Sequence, residues 1–177
     1  MKTIDNELAI KAGAGDATAF QKLLELHYDT IFRIALRYTG LREDAEDLTQ
    51  DICTSLPEKL RLFRGQAKFT TWLYRVVVNS AHDKQRKQST FLLLNRDYSE
   101  ILTLRQGSEA DAEKQQTWLY ETLNEVGKDL RDTAILVLAE GLSHQETAEI
   151  LDIKEATVSW RMHELRKKLK AIADQEL

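Results

Sequence analysis

Aromatic and basic side chains are interleaved in one short stretch of the chain, between residues 61 and 75. Flat aromatic rings can stack on unpaired bases, and cations beside them can bind the phosphates that link those bases. The pattern therefore indicates contact with single-stranded nucleic acid. A small helical domain also needs large apolar side chains in its core, so we expect about half of these aromatics, Trp72 included, to be packed inside. The stretch contains Phe63, Phe69, Trp72 and Tyr74 among Arg61, Arg64, Lys68 and Arg75.

Charge is segregated along the chain, although the 25 basic and 29 acidic residues leave a net charge of only −4. Residues 41–58 contain six acids and one base, whereas residues 59–87 contain eight bases and one acid. A second basic segment, residues 161–170, has five bases and one acid. Two basic segments on an acidic chain suggest two local contacts with a polyanion. Solvated helix faces explain charge runs equally well, so charge alone leaves both interpretations open.

A third pattern, in residues 141–163, is typical of a helix-turn-helix. Ala148 is small at the point where two helices would touch, and Ile153 and Val158 would fill the angle between them. Residues near the start of the second helix would then face a DNA major groove. An ordinary helical hairpin explains the apolar spacing, but not the basic residues that follow and are predicted to be exposed: Arg161, Arg166 and Lys167.

The elements that must position these residues are predicted to be helices. Seven glycines and one proline are few for an all-β fold, and apolar residues recur at helical spacing. The strand-like run of valines at 76–78 lies within a long stretch without a turn signal, so it is also assigned to a helix. The predicted helices are 16–38, 42–57, 70–87, 113–126, 129–139, 143–151 and 156–173.

Four residues are predicted to mark helix ends. Asp16 and Thr70 are candidate N-caps of the first and third helices. Pro57 is expected to kink or end the second helix, because proline lacks a backbone donor and clashes with the preceding turn. Ser143, with Glu146 three residues later, has the spacing of a capping box.

The predicted architecture is all-α, with two small helical domains joined by a flexible linker. The helical periodicity stops over residues 88–112, and a structureless stretch of that length is unusual inside one compact domain. We therefore predict domains at 1–88 and 113–177 and a linker at 89–112. The linker includes one apolar patch, Phe91–Leu94.

Several classes of protein are disfavoured. The four histidines are scattered without metal-ligand spacing, Cys53 has no neighbouring base in sequence, and there is no glycine-rich phosphate loop. We therefore expect no catalytic residue, no metal and no cofactor. No apolar run reaches the roughly 18 residues that span a bilayer, and the first residues lack the apolar stretch of a signal peptide. With one cysteine, a cytoplasmic location is expected.

The order of these motifs resembles bacterial RNA polymerase sigma factors of the sigma-70 family, specifically the extracytoplasmic-function (ECF) group. The matching stretches are 44–51 (DAEDLTQD), 63–65 (FRG), 69–79 (FTTWLYRVVVN) and the helix-turn-helix. The resemblance covers roughly residues 16–88 and 115–170. It implies an N-terminal sigma domain 2 and a C-terminal sigma domain 4, the family's partners core RNA polymerase and promoter DNA, and an anti-sigma factor.

The resemblance also implies a role for particular residues. The acidic helix matches the family's contact with core RNA polymerase: Asp44, Glu46, Asp47, Gln50 and Asp51. The loop at 62–71 and the helix after it match the element that opens and reads the −10 promoter region: Arg64, Lys68, Phe69, Trp72, Arg75, Asn79, Lys84 and Arg86. The recognition helix matches the reader of the −35 region: Thr157, Ser159, Trp160, Arg161, His163, Arg166 and Lys167.

The recognition helix departs from the family pattern. Ser159 and Glu164 stand where the family usually has bases, and Trp160 replaces a serine. Fewer cations imply weaker phosphate contact or a different −35 sequence. The alternative is a stand-alone helix-turn-helix regulator whose N-terminal domain senses a signal or dimerises. It predicts duplex binding without core polymerase, and the aromatic and basic stretch counts against it.

Overall fold

The computed structural model describes residues 4–94 and 121–175. The chain divides into two compact units, residues 1–113 and 114–177. The described residues form helices and turns without a strand, which confirms the all-α prediction. The first unit contains α1 (Ile4–Gly13), α2 (Ala17–Thr39), α3 (Arg42–Leu60) and α4 (Phe69–Leu94). The second contains a helical segment at 121–125, α5 (Lys128–Ala134), a π-helical turn (Ile135–Ala139), α6 (His144–Leu151) and α7 (Glu155–Gln175).

The core of the first unit lies between α2, α3 and α4, with α1 also packed on α2 and α3. Each long helix turns one apolar stripe inward and leaves its other face to solvent, as the helical spacing predicts. The valine run at 76–78 is helical and buried, so the helical assignment is confirmed. The largest fully buried side chains are Leu23, Ile31, Ile34, Tyr38, Leu48, Ile52, Leu56, Leu60, Phe69 and Leu73.

Pro57 was predicted to kink or end the second helix, and it does not end it. It lies inside α3, which continues to Leu60. The ring of Pro57 is exposed, while Leu56 and Leu60 are each only 1% exposed. Burial of these two leucines holds the last turn in helical form and outweighs the missing backbone hydrogen bond.

The third helix begins within one residue of the predicted start, but its predicted N-cap and its predicted end are wrong. α4 begins at Phe69, which puts Thr70 inside the helix rather than at its cap, and it runs past Lys87 to Leu94. The hydroxyls of Ser89 and Thr90 donate to the carbonyls of Gln85 and Arg86, so these residues fit the helix instead of stopping it. The Phe91–Leu94 patch is therefore helical in backbone, and the rest of the predicted linker lies outside the described residues.

The first helix, α1, was not predicted from the sequence. Its buried side chains are only two alanines and Asn6, which is too little for a recognisable apolar stripe. It ends at Gly13, where the backbone passes very close to the end of α3. The predicted N-cap of the next helix is confirmed, because Asp16 Oδ1 accepts a hydrogen bond from the Ala19 amide at 3.0 Å.

The second unit has the predicted helix-turn-helix. Its first helix is closed by the predicted capping box: Ser143 Oγ accepts from the Glu146 amide, and the Glu146 carboxylate accepts from the Ser143 amide. The turn passes through Asp152 in the left-handed conformation (φ 54°), whose amide donates to the Ala148 carbonyl. Val158 is fully buried, in agreement with the role predicted for it. The predicted helix at 129–139 starts as α5 and closes with the π-helical turn.

We expect Gly13→Ala to destabilise the first unit by about 1 to 3 kcal/mol, the usual effect of overpacking. A Cβ at this position would collide with the Leu60 carbonyl oxygen, which is backbone and cannot rotate away. Alanine would stabilise an unobstructed helix by about 1 kcal/mol, so the sign of the change is diagnostic. Urea unfolding measures it, with Lys11→Ala on the exposed side of α1 as the control. Increased stability would contradict this close approach.

We expect Ser143→Ala to weaken α6 by about 1 kcal/mol, because the Glu146 amide loses its acceptor. Amide hydrogen exchange should accelerate in 143–151 and remain unchanged in α2. Gln145→Ala, at an exposed position of the same turn, is the matched control. Equal exchange rates in the two variants would mean that the capping box does not stabilise this helix.

Candidate nucleic-acid interface

Three aromatic rings meet where the loop at 61–68 enters α4. The ring centroids of Phe63 and Trp72 are 5.3 Å apart, and Phe69 lies 5.8 Å from each of them. The ring of His27, on α2, also packs against Phe69; their ring centroids are 5.1 Å apart in an edge-on arrangement. The cluster fixes the start of α4 against the core. The exposed residues Arg64 and Lys68 lie on the loop beside it.

The cluster settles which aromatics are available to a base. Phe69 is 1% exposed and Phe63 is 7% exposed, so both are core residues. The ring of Phe69 is inaccessible to a base in this conformation, so a DNA contact by Phe69 stays a prediction that requires the ring to become exposed. Trp72 is half-buried: it packs on both phenylalanines and still reaches the surface. Half of the aromatics are core, as expected, but they are Phe63 and Phe69; Trp72, which was expected inside, is only half-buried.

A side chain that sequence reasoning missed holds the loop in position. Asn6 Oδ1 accepts a hydrogen bond from the Phe69 amide at 2.7 Å, and Asn6 Nδ2 donates to the Ala67 carbonyl at 3.0 Å. Asn6 is 5% exposed, and its bond to the Phe69 amide is buried, whereas its bond to the Ala67 carbonyl is only partly shielded from water. It lies more than sixty residues before its partners, and nothing in the local sequence around either site signals the pairing.

Four of the predicted DNA contacts share one surface of α4. At 100° per residue, Trp72, Arg75, Asn79 and Arg86 fall within about 60° of the helix circumference. Asn79 and Arg86 are exposed, and Arg75 is half-buried. Arg86 pairs with Asp83 at 2.7 Å, an exposed contact that another anion can replace at little cost. The helix thus presents stacking, cationic and amide groups along one line.

Lys84 lies off that line. Its Nζ donates to the backbone carbonyl of Asp44 at 3.1 Å and ties α4 to the first turn of α3. The position indicates a structural role in this conformation, in contrast to the predicted DNA contact.

The predicted polymerase contact forms the exposed face of α3. Glu46, Asp47, Gln50 and Asp51 are exposed, whereas Asp44 is half-buried. Glu46 is paired with Arg42 at 2.8 Å, and the same guanidinium lies 5.9 Å from the centroid of the Phe32 ring. The opposite face of α3 is core. One face of α3 is therefore fixed in the core, and the opposite face exposes the acidic side chains to solvent.

The exposed face of α7 carries most of the predicted −35 contacts. Ser159, Trp160, His163, Arg166 and Lys167 are exposed and lie within about 120° of the helix circumference. Trp160 is 60% exposed, so its indole is accessible on this face. His144 at the start of α6 joins this surface, with Nδ1 2.9 Å from Ser159 Oγ. Sequence reasoning did not include His144.

Arg161 was predicted to be exposed, and this is wrong. Its side chain is 13% exposed and donates to Asp129 Oδ2 at 2.8 Å, on the first turn of α5. Thr157 is half-buried and projects from a similar side of α7, about 40° from Arg161. The available cations are fewer than the sequence suggested, because tertiary contact with Asp129 removes one.

Other reactive groups have ordinary surroundings. Burial raises the pKa of the Cys53 thiol, so the thiolate is disfavoured at neutral pH. Within 4–94 and 121–175, no three His, Cys, Asp or Glu side chains are grouped to bind a metal ion. None of the described helices combines the length and apolar character needed to span a membrane.

Two family models match the chain in order. Sigma-70 region 2 matches residues 23–91, and Sigma-70, region 4 matches residues 117–169. The first match contains the loop, the aromatic cluster and the exposed faces of α3 and α4. The second contains the helix-turn-helix.

Relatives match along nearly the whole chain. The ECF RNA polymerase sigma-E factor of Haemophilus influenzae is 28% identical over 173 residues, covering 92% of this chain and 91% of that protein. The ECF RNA polymerase sigma factor SigW of Bacillus subtilis is 27% identical over 168 residues, covering 88% and 89%.

Solved structures have the same fold. CnrH, in complex with the cytosolic domain of CnrY, matches with a TM-score of 0.72 and 23% identity over 98% of this chain and 99% of that chain. The sigma factor RpoE of Bartonella quintana, in complex with the anti-sigma factor NepR, matches with a TM-score of 0.65 and 20% identity over 88% and 96%. Two sigma-70 regions in their family order, with relatives similar along about nine tenths of their length, lead to one conclusion: the chain belongs to the ECF group of the sigma-70 family.

Proposed function

We propose that this protein is a promoter-specificity subunit that assembles with core RNA polymerase and directs it to promoters through two DNA contacts. The first unit opens and reads the −10 element, and the second reads the −35 element. The protein itself contributes binding and positioning, with no catalytic group. The observation that carries the proposal is the pair of separate exposed faces in the first unit, one acidic on α3 and one cationic and aromatic on α4 and its loop.

The acidic face suits a basic protein partner. Four polar or acidic side chains are exposed on α3, whose opposite face is fixed in the core, so their surface is rigid. Complementary charge on a partner would accelerate its encounter with this surface. DNA would be repelled by the same charges. We therefore assign the exposed face of α3 to core polymerase.

The surface around Trp72 suits unpaired bases. A half-buried indole beside exposed Arg64 and Lys68 provides a stacking surface with nearby phosphate ligands. Asn79 extends the same line along α4 with an amide that can bond to a base edge. These residues, with Arg75 and Arg86, are assigned to the −10 strand.

The exposed face of α7 suits the major groove of the −35 element. Arg166 and Lys167 supply phosphate contacts, and Ser159 and His163 supply donors and acceptors for base edges. Trp160 can make apolar contacts, for example with a thymine methyl group, and its indole N–H can donate one hydrogen bond. The helix-turn-helix therefore binds duplex with few cations and an unusual apolar contact.

An anti-sigma factor is a further proposed partner. Two solved relatives with this fold are described in complexes, one with the anti-sigma factor NepR and one with the cytosolic domain of CnrY. We propose that a comparable protein binds this chain and prevents its assembly with polymerase.

Run-off transcription tests the proposal directly. Core RNA polymerase is incubated with fragmented genomic DNA, with and without the purified protein. We expect discrete transcripts that require the protein, and alignment of their upstream sequences would define both promoter elements. Duplex binding without any affinity for core polymerase would instead support the stand-alone regulator.

We expect Arg166→Ala to weaken binding of the holoenzyme to promoter duplex by about three- to tenfold, because one exposed phosphate ligand is lost. The slope of log affinity against log salt should fall by about 1, and core assembly should be unaffected. Filter binding at several salt concentrations measures both. Arg166→Lys, which keeps the charge, should retain most of the affinity. An unchanged salt slope in Arg166→Ala would exclude the phosphate contact.

We expect Asp51→Lys to weaken binding to core polymerase by at least tenfold, because a cation replaces an acid on the proposed contact surface. Fluorescence anisotropy with labelled protein and core enzyme measures this affinity. Asp29→Lys makes the same charge change at an exposed position of α2 and should bind core normally. Equal losses in both variants would attribute the effect to overall charge and not to α3.

A further inference from the structure

The loop at 61–68 depends on α1 for its position. Asn6 donates to the Ala67 carbonyl and accepts from the Phe69 amide, so one side chain joins the end of the loop to the first residue of α4. Earlier in the loop, Gly65 adopts a left-handed conformation (φ 69°). There, an added Cβ would lie 3.2 Å from Ile10 Cδ1, also on α1. Asn6 and Ile10, one turn apart on α1, therefore both lie against the loop.

These bonds satisfy groups that the chain cannot satisfy locally. The first amides of a helix have no intrahelical acceptor, and Phe69 is the first residue of α4. Thr70, the nearest hydroxyl, lies inside the helix and is exposed, so it is not the cap. An amide side chain is needed, because the site requires an acceptor for Phe69 and a donor for Ala67 at once. Aspartate lacks the donor, and serine has a single oxygen where asparagine offers two separate polar atoms.

The supported segment carries the groups assigned to the −10 strand. Lys68 stands between the two residues that Asn6 binds, Arg64 precedes Gly65, and Trp72 lies on the first turn that Asn6 caps. The rings of Phe63 and Phe69 pack against Trp72, so the position of the loop also restricts the position of the indole. A rigid loop binds a flexible DNA strand more tightly, since less of the protein must be ordered on binding.

We infer that Asn6 is a positioning residue for capture of the −10 strand, and that α1 supports the DNA-reading loop. The inference rests on the proposed function and deepens it, because it adds a residue that is buried and does not itself touch DNA. Loss of Asn6 should release the loop and leave the α3 and α7 surfaces intact. The expected defect is therefore confined to one of three binding activities.

The test uses holoenzyme assembled from core polymerase and the full chain. The probe is a fluorescein-labelled single strand, the non-template −10 region of a promoter recovered by run-off transcription with the wild-type protein. A scrambled strand of the same composition measures non-specific binding. Two variants separate the bonds: Asn6→Ala removes both, while Asn6→Asp keeps an acceptor for the Phe69 amide and loses the donor to Ala67. Glu7→Ala, an exposed neighbour on α1, is the matched control.

We expect both Asn6 variants to bind the −10 strand at least fivefold more weakly than the wild type and Glu7→Ala. Core affinity and affinity for −35 duplex should change by less than twofold. Hydrogen exchange should accelerate at 61–69 and remain unchanged at α2. These readouts distinguish positioning from general destabilisation, which would lower all three affinities and accelerate exchange throughout the first unit.

The outcomes separate the inference from the proposed function. If wild-type holoenzyme does not prefer the −10 strand over the scrambled strand, the proposed function fails. If the wild type has that preference and both Asn6→Ala and Asn6→Asp retain it fully, Asn6 does not position the loop and the inference is overturned. Loss in Asn6→Ala with full retention in Asn6→Asp would assign the positioning to the Phe69 bond alone. A parallel loss of core binding in both variants would also overturn it, because Asn6 would then be a general structural residue.

Discussion

The first amide of α4, that of Phe69, is buried and must be paired away from water, and Asn6 supplies its acceptor. An unpaired buried amide costs about 1 to 3 kcal/mol, so this pairing sets where the helix begins. The same side chain holds the loop that precedes it. The aromatic cluster then packs in a single arrangement, with Phe63 and Phe69 inside and Trp72 at the surface. The surface assigned to single-stranded DNA is thus the outer layer of a hydrogen-bonded and packed support.

α3 and α4 illustrate how a small domain can hold two different binding surfaces. Each helix packs one apolar stripe in the common core, and its exposed face can carry charge of either sign. The acidic face of α3 and the cationic line of α4 therefore belong to one rigid body. Lys84 links the two helices through the Asp44 carbonyl. Binding of a protein partner on one face can leave the nucleic-acid face unobstructed.

The second unit combines a well-determined turn with an unusual recognition surface. The left-handed Asp152 and the buried Val158 stabilise the angle between α6 and α7, and the capping box stabilises the start of α6. That angle decides which side of α7 is exposed. Arg161 falls on the inner side and pairs with Asp129, whereas Trp160 falls on the outer side. The recognition surface consequently has fewer cations and more apolar area than its sequence suggests.

Short-range patterns in the sequence determined most of the helices, because apolar periodicity, the Asp16 cap and the capping box depend on residues within a few positions of each other. They also determined the family, since its motifs are contiguous. Three features depended on tertiary structure: Pro57 tolerated within α3, the Asn6 support of the loop, and the burial of Phe69 and Arg161. Each arises from partners far apart in sequence, whose approach is decided by core packing rather than by local propensity. The sequence therefore specified which residue types are present, and the tertiary structure decided which of them reach the surface.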